Sequence, residues 1–464
     1  MFETRLIEIY NSFDTEEKRR LRKWINSDFV NKNDSILQFF GFIDSRKSIT
    51  AKTVSKQKAH AYMYPDVPYN DLKIRHLIWL TTEIFEQFIV YDNIGKELAL
   101  REQLLSKFYA RKDLYKYALK NIENGISLIQ KSKVKNAKHY NMLFNLHSDY
   151  YDINSRNIRT HDFNIDDVVS TFTVFVILET LKSASRIASI QKVGDTKTAQ
   201  LLLPGVLDIV KNSDYLSLPE IRIYYNIYLI TVQEDERAFA QFMADIKKYE
   251  NLFSVHNLNE LYRLAINFCI KRSNQNNKFY TQQAFDLYLY TIDKKILLEN
   301  NEISRFIFTN TVTLGIKLKE FSRIQTFIER YSKFIDKEFR QTAIDFNSAK
   351  LFYAKGNADK ALKILLTNEF QDVIWNLNSK YLVLKILFEA RDFELFKAHL
   401  KAFRVYINRK SSIGYHKTYF TNVIKSLSQL QRIYLHPQKY KNFQFADDTP
   451  DVDWFNSALK KIKK

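Results

Sequence analysis

The residues that could do chemistry gather most densely in the last third of the chain. Phe346, Lys350 and Tyr353 fall at i, i+4 and i+7, on one face of a helix, and 35 residues on Tyr381, Lys385 and Phe388 repeat the order aromatic, lysine, aromatic. Such a ladder suits an extended peptide, the lysines meeting carboxylates and the rings supplying rigid contact area. The same residues have a plainer use, in which the rings pack between neighbouring helix pairs and the lysines run their stems along apolar surface into water. Both uses need helices that present these six side chains on one face.

Other chemistry finds less support. The glycines Gly41, Gly95, Gly125, Gly194, Gly205, Gly315, Gly356 and Gly414 are too far apart for a dinucleotide or phosphate-binding loop. The nine histidines form no HExxH pair, and His139 and His147, eight residues apart, are too distant along a helix to share a metal by spacing alone. The segment THDFNIDD (160–167) gathers His161, Asp162, Asp166 and Asp167, which reads as a polar loop capping the helix that follows. The single cysteine, Cys269, lies in the apolar run LAINFCIKR, which predicts a small buried side chain and excludes an intrachain disulfide. No nucleophile elbow is present. The expectation is a chain that is not an enzyme, with no catalytic residues, no cofactor and no bound metal.

The elements that must position these residues are helical. The chain carries 8 glycines and 6 prolines in 464 residues, where average usage gives roughly 32 and 23. That shortage argues against folds rich in tight turns. Apolar residues recur at spacings of three and four through 71–91, 99–130, 136–153, 165–192, 196–211, 217–232, 236–250 and 258–272. Asp14 or Thr15 caps a helix running to about Ser27, with Glu16 and Glu17 in its first turn. Few or no strands are expected. MYPDVPYN (63–70) and SRNIRTHDFN (155–164) are the clear breaks. The N-terminus lacks a signal peptide's apolar core, and the apolar stretch near Val168–Leu178 falls short of the about 20 residues of a membrane span, so the expected location is the cytoplasm, with no transmembrane segment.

Residues 349–366, AKLFYAKGNADKALKILL, resemble a tetratricopeptide repeat: Ala349, Phe352, Gly356, Ala361 and Leu365 fall at that family's packing positions. A shift of 35 residues gives a weaker copy with Leu384, Leu387, Arg391, Phe396 and Leu400, and further candidates are 318–331 and 279–292, the latter with Ala284. At the other end, LRKWINSDFVNKNDSILQFF (21–40) with Tyr64, Pro65, Pro68, Tyr69, Asp71 and Arg75 resembles an uncharacterised bacterial helical family with an SPYFNK-like opening and degenerate tetratricopeptide-like repeats. The family's proline after the serine is Asp28 here. These resemblances imply an all-α fold, a helical-repeat α-solenoid over 96–464, clearest in 301–410, behind a small N-terminal helical domain over 1–95.

The net charge is +19, of which 101–150 hold +6 and 401–464 hold +9. Such patches draw phosphates, acidic membrane or acidic protein. The helix, proline turn, helix order of 49–89 loosely resembles a winged-helix segment, which would place Lys73, Arg75 and His76 near a DNA groove. Residues 1–100 carry only +1, however, and no strand pair reads as a wing. The leading expectation is a protein-binding scaffold or adaptor for a protein or peptide partner. The alternative is a nucleic-acid-binding regulator using the N-terminal helices or the basic patches.

Overall fold

The computed structural model describes residues 1–46, 48–157, 164–191, 200–368, 370, 372–409, 414–446 and 449–463. It is all-helical: 79% of the chain is helix and 1% is strand. Two compact units divide it, Met1–Glu179 and Thr180–Lys464.

The first unit holds α1 (Arg5–Ser12), α2 (Thr15–Ile25), α3 (Asp34–Asp44), α4 (Lys56–Met63), α5 (Asp71–Lys96), α6 (Leu98–Ala110), α7 (Tyr115–Lys131), α8 (Ala137–Asn157) and the first half of α9 (Ile165–Gln191). Asp14 caps α2 as expected. Its carboxylate accepts from the Glu17 amide at 2.8 Å, and Glu17 accepts from the Asp14 amide at 3.0 Å. The proline segment is the turn between α4 and α5, closed by Asn70, whose side chain accepts from the amides of Leu72 and Lys73. Residues 1–88 enclose their own core, built on Leu6, Ile7, Leu21, Phe39, Ile74 and Phe85. A second cluster joins Ala118 and Ile122 of α7 to Leu146 and Ile153 of α8. The single helix expected over 99–130 is in fact two, α6 and α7. The chain reverses at Asp113, whose φ of 60° is left-handed. Without a glycine there, periodicity alone had no break to register.

α9 is long and apolar enough to cross a membrane by length and composition, longer than the uncharged run suggests. It also carries Asp166, Asp167, Glu179, Lys182 and Arg186 and buries Ile177, Leu178 and Leu181. About a third of this stretch, 33%, is buried within the protein.

The second unit continues with α10 (Leu203–Asn212), α11 (Pro219–Tyr228), α12 (Glu236–Tyr249), α13 (Val255–Asn274) and α14 (Lys278–Asp293). A two-residue hairpin, β1 (Leu298–Glu299) and β2 (Glu302–Ile303), follows. Then come α15 (Arg305–Lys317), α16 (Phe321–Tyr331), α17 (Lys337–Ala354), α18 (Ala358–Thr367), α19 (Val373–Glu389), α20 (Phe393–Arg409), α21 (Tyr415–Leu435) and α22 (Val452–Lys463). Consecutive helices pack on one another from α13 to α22 apart from the hairpin, and α15, α17 and α19 also meet in turn.

One turn design recurs. Helices α13, α15, α17 and α19 each end in a residue pair whose second member is left-handed: Asn276, Lys319, Gly356 and Arg391. The next residue's amide reaches back to a carbonyl five positions earlier: Asn277 to Arg272, Glu320 to Gly315, Asn357 to Phe352, Asp392 to Leu387. Gly356 and Arg391 thus occupy the same place in successive turns, as the 35-residue shift expects. Ala349, Ala361 and Phe396 are fully buried at the helix contacts, with Leu365 and Leu400 nearly so. A second regularity is a set of side-chain bonds spanning 37 or 38 residues: Arg323 to Asp286, Arg330 to Asp293, Asn347 to Thr309. Each joins a helix to the next but one.

Candidate functional site

Three alternate helices, α15, α17 and α19, wall a cleft of about 420 Å³. α15 contributes Thr309, Asn310, Thr313 and Ile316; α17 contributes Phe346, Lys350, Tyr353 and Ala354; α19 contributes Asn378, Tyr381, Leu382 and Lys385. Five of the six ladder residues therefore line one cleft. The sixth, Phe388, does not: it is buried against Phe393, Phe396, Tyr434 and Trp454. Phe346 and Tyr381 line the cleft although both are buried, and Phe346 stacks on Trp375. The ladder residues thus pack between helices and also line the cleft.

The two lysines differ. Lys385 donates to Asp451 Oδ2 at 2.8 Å, and the Tyr381 hydroxyl donates to the same oxygen at 2.8 Å. The Lys385 ammonium lies 5.0 Å from the Trp454 ring, 5.5 Å from Tyr381 and 5.8 Å from Tyr353. Trp454 is fixed by a 2.9 Å bond from its indole N–H to Glu389. Burial and the carboxylates of Asp451 and Glu389 hold the Tyr381 and Tyr353 phenols well above the ordinary range, so both stay protonated as donors.

Lys350 has no such counter-charge. It bonds the Thr313 hydroxyl and lies 5.6 Å from the Phe346 ring. The Thr313 hydroxyl donates to the Thr309 carbonyl at 2.7 Å, which leaves its oxygen to accept from Lys350. Among the described residues no carboxylate pairs with this ammonium. Burial, then the positive charge of Lys385, pushes its pKa down to about 8.

Asp451, Trp454 and Glu389 were not singled out in the sequence. A signal was there: residues 401–464 hold 13 basic and 4 acidic side chains, and Asp451 and Asp453 flank the start of the last helix in that basic tail.

The other candidates have structural roles. Cys269 is fully buried and its thiol is pushed up by desolvation, which makes it inert. His139 is buried and held down to about 4, first by desolvation and then by Lys135. Asp166 and Asp167 lie in the first turn of α9, whereas His161 and Asp162 lie outside the described residues. Among the described residues no group of three or more His, Cys, Asp or Glu side chains could hold a metal ion. Around the start of α5, Arg75 pairs with Asp71 at 2.5 Å, Lys73 lies over Tyr64 and His76 stacks on Trp79.

Comparison with protein-family models, with curated proteins and with solved structures finds no match.

Proposed function

We propose that this chain is a helical-repeat scaffold that works by binding a protein partner rather than by catalysis, and that α13 to α20 form a solenoid of tetratricopeptide-like pairs. The support is geometric. The recurrent turns and the bonds spanning 37 or 38 residues are what stacked helix pairs produce. The observation that carries the proposal is the cleft: alternate helices bring five spaced ladder residues to one concave site, where apolar surface is interspersed with hydroxyl, amide and ammonium groups.

The test is selection of a displayed library of 12-residue peptides on the full chain, repeated on Lys350→Glu with its helicity checked. Peptides enriched on the natural chain and lost on the variant support the proposal. Enrichment indifferent to Lys350→Glu, or no enrichment alongside salt-sensitive binding of duplex DNA or RNA, overturns it in favour of the basic patches.

A further inference from the structure

We infer that the Lys350 end of the cleft is a carboxylate subsite for an acidic segment of a partner protein, equivalent to the subsite that the chain fills for itself at Lys385. The inference rests on the cleft being a protein-binding site.

The chain supplies its own example of what this side-chain set takes. At the Lys385 end, one aspartate oxygen accepts both the tyrosine hydroxyl and the ammonium at 2.8 Å, and a tryptophan three residues on covers the lysine. The occupant is a carboxylate–x–x–aromatic segment, Asp451 to Trp454, entering from outside the α15–α19 helices. Thirty-five residues earlier the order aromatic, lysine, aromatic recurs with Phe346, Lys350 and Tyr353; Phe346 lacks the hydroxyl of Tyr381, so the shared feature is the lysine, which there meets only the neutral hydroxyl of Thr313.

That difference matters energetically. A desolvated ammonium without a counter-charge is costly, whereas a charge-assisted bond to a carboxylate is among the stronger polar contacts available. Thr313 orients the ammonium through one N–H and leaves the other two for a ligand. The cleft of about 420 Å³ has room for more than a single ion. The surrounding chain is basic, with +9 over 401–464, so an acidic segment is also favoured at long range. A protein segment, rather than a free acid, is the occupant because the filled copy shows an aromatic anchor three residues from the carboxylate.

The probe is a fluorescein-labelled, C-amidated peptide of residues 447–455, DDTPDVDWF, with a control peptide bearing Asn at each Asp. Binding to the full chain is read by anisotropy on the natural protein, Lys350→Met and Lys350→Gln. Acetylation of Lys350 by N-hydroxysuccinimidyl acetate, mapped by mass spectrometry, is read with and without peptide. The expected result is saturable binding, weakened at least tenfold by either substitution and by the Asn control, with Lys350 protected from acetylation. Binding that both variants retain overturns the subsite while leaving the scaffold proposal standing. No binding of this peptide, when library peptides do bind through Lys350, overturns the acidic motif alone; no peptide binding of any kind overturns both. Equal protection of Lys350 by millimolar sodium acetate assigns the site to small carboxylates and overturns the protein segment.

Discussion

Lys350→Met removes the one cleft lysine that lacks a counter-charge and keeps nearly the same side-chain length. A lysine held at about 8 rather than its ordinary 10.5 costs the folded state about 3 kcal/mol while protonated, at about 1.4 kcal/mol per pH unit. The sign follows from proton binding. Below pH 8 both folded and unfolded chains carry the proton and the cost is fully present. Between pH 8 and 10.5 the unfolded chain keeps the proton that the folded one has lost, so stability rises with pH. At pH 9.5 about 2 kcal/mol of the cost is relieved. The positive charge of Lys385 adds to the lowering of Lys350, and Tyr353 and Tyr381, raised above their ordinary range, make stability fall with pH only above about pH 10. The assay is urea unfolding at pH 7.0 and pH 9.5 in a background of Trp24→Phe and Trp79→Phe, which leaves Trp375 and Trp454 of the second unit as reporters. Lys350→Met is expected to be the more stable chain at pH 7.0, and its advantage to shrink by about 2 kcal/mol at pH 9.5. A gap that stays constant within about 0.5 kcal/mol would mean that water or a counter-charge reaches the ammonium, and the desolvation reasoning would fail.

Three further outcomes follow from the packing. Gly315→Ala puts a Cβ 2.6 Å from Ile324 Cγ1 and 2.9 Å from Phe285 Cε2, so a loss of about 1–3 kcal/mol is expected in urea unfolding, partly restored by Ile324→Ala. Gly356→Ala, at φ of 83°, is expected to cost about 1 kcal/mol, while Arg391→Gly at the equivalent turn is neutral or stabilising; equal losses from both would refute the shared turn design. Arg222 holds the buried Asp245 through two bonds of 2.8 and 2.9 Å, so Arg222→Met is expected to cost about 3–5 kcal/mol. Burial works to raise that aspartate, but Arg222 and Gln241 outweigh it and hold the carboxyl low. Its contribution is therefore present above the ordinary aspartate range and fades as pH falls below about 4, which acid titration of the variant should show as a flattened profile.

Much of this architecture could be read along the chain because helices advertise themselves locally. The capping box at Asp14 needs only residues 14 to 17, and the 35-residue echo of 349–366 needs only apolar spacing. The turn at Asp113 was hidden because an ordinary residue takes the left-handed position that glycine advertises at 356, whereas the 35-residue shift marks the equivalent place at Arg391. At Asp113 this fused two helices into one expected stripe. The ladder at 346–388 was visible as a pattern, yet its ends diverge for a reason that no pattern contains. Phe388 is drawn into the α20–α22 packing by Phe393, Tyr434 and Trp454, and Lys385 is claimed by an aspartate 66 residues away. Contacts across such separations are set by how helices stack, not by spacing within any one of them.

The stacking also explains why the cleft has the wall it does. Gly315 and Thr313 are two positions apart on α15, about 200° around the helix, so they face opposite ways. Gly315 faces Ile324 of α16 and Phe285 of α14 at distances no side chain would tolerate, which seats α15 deeply against both neighbours. Thr313 then points from the far side toward α17, where its oxygen meets Lys350. The apolar approach behind α15 thus sets where the polar group in front of it stands. A carboxylate subsite at Lys350 needs that ammonium held in place without being neutralised. A neutral hydroxyl on a helix fixed from behind does this, and an acidic residue in its place would fill the site and end its use for a partner.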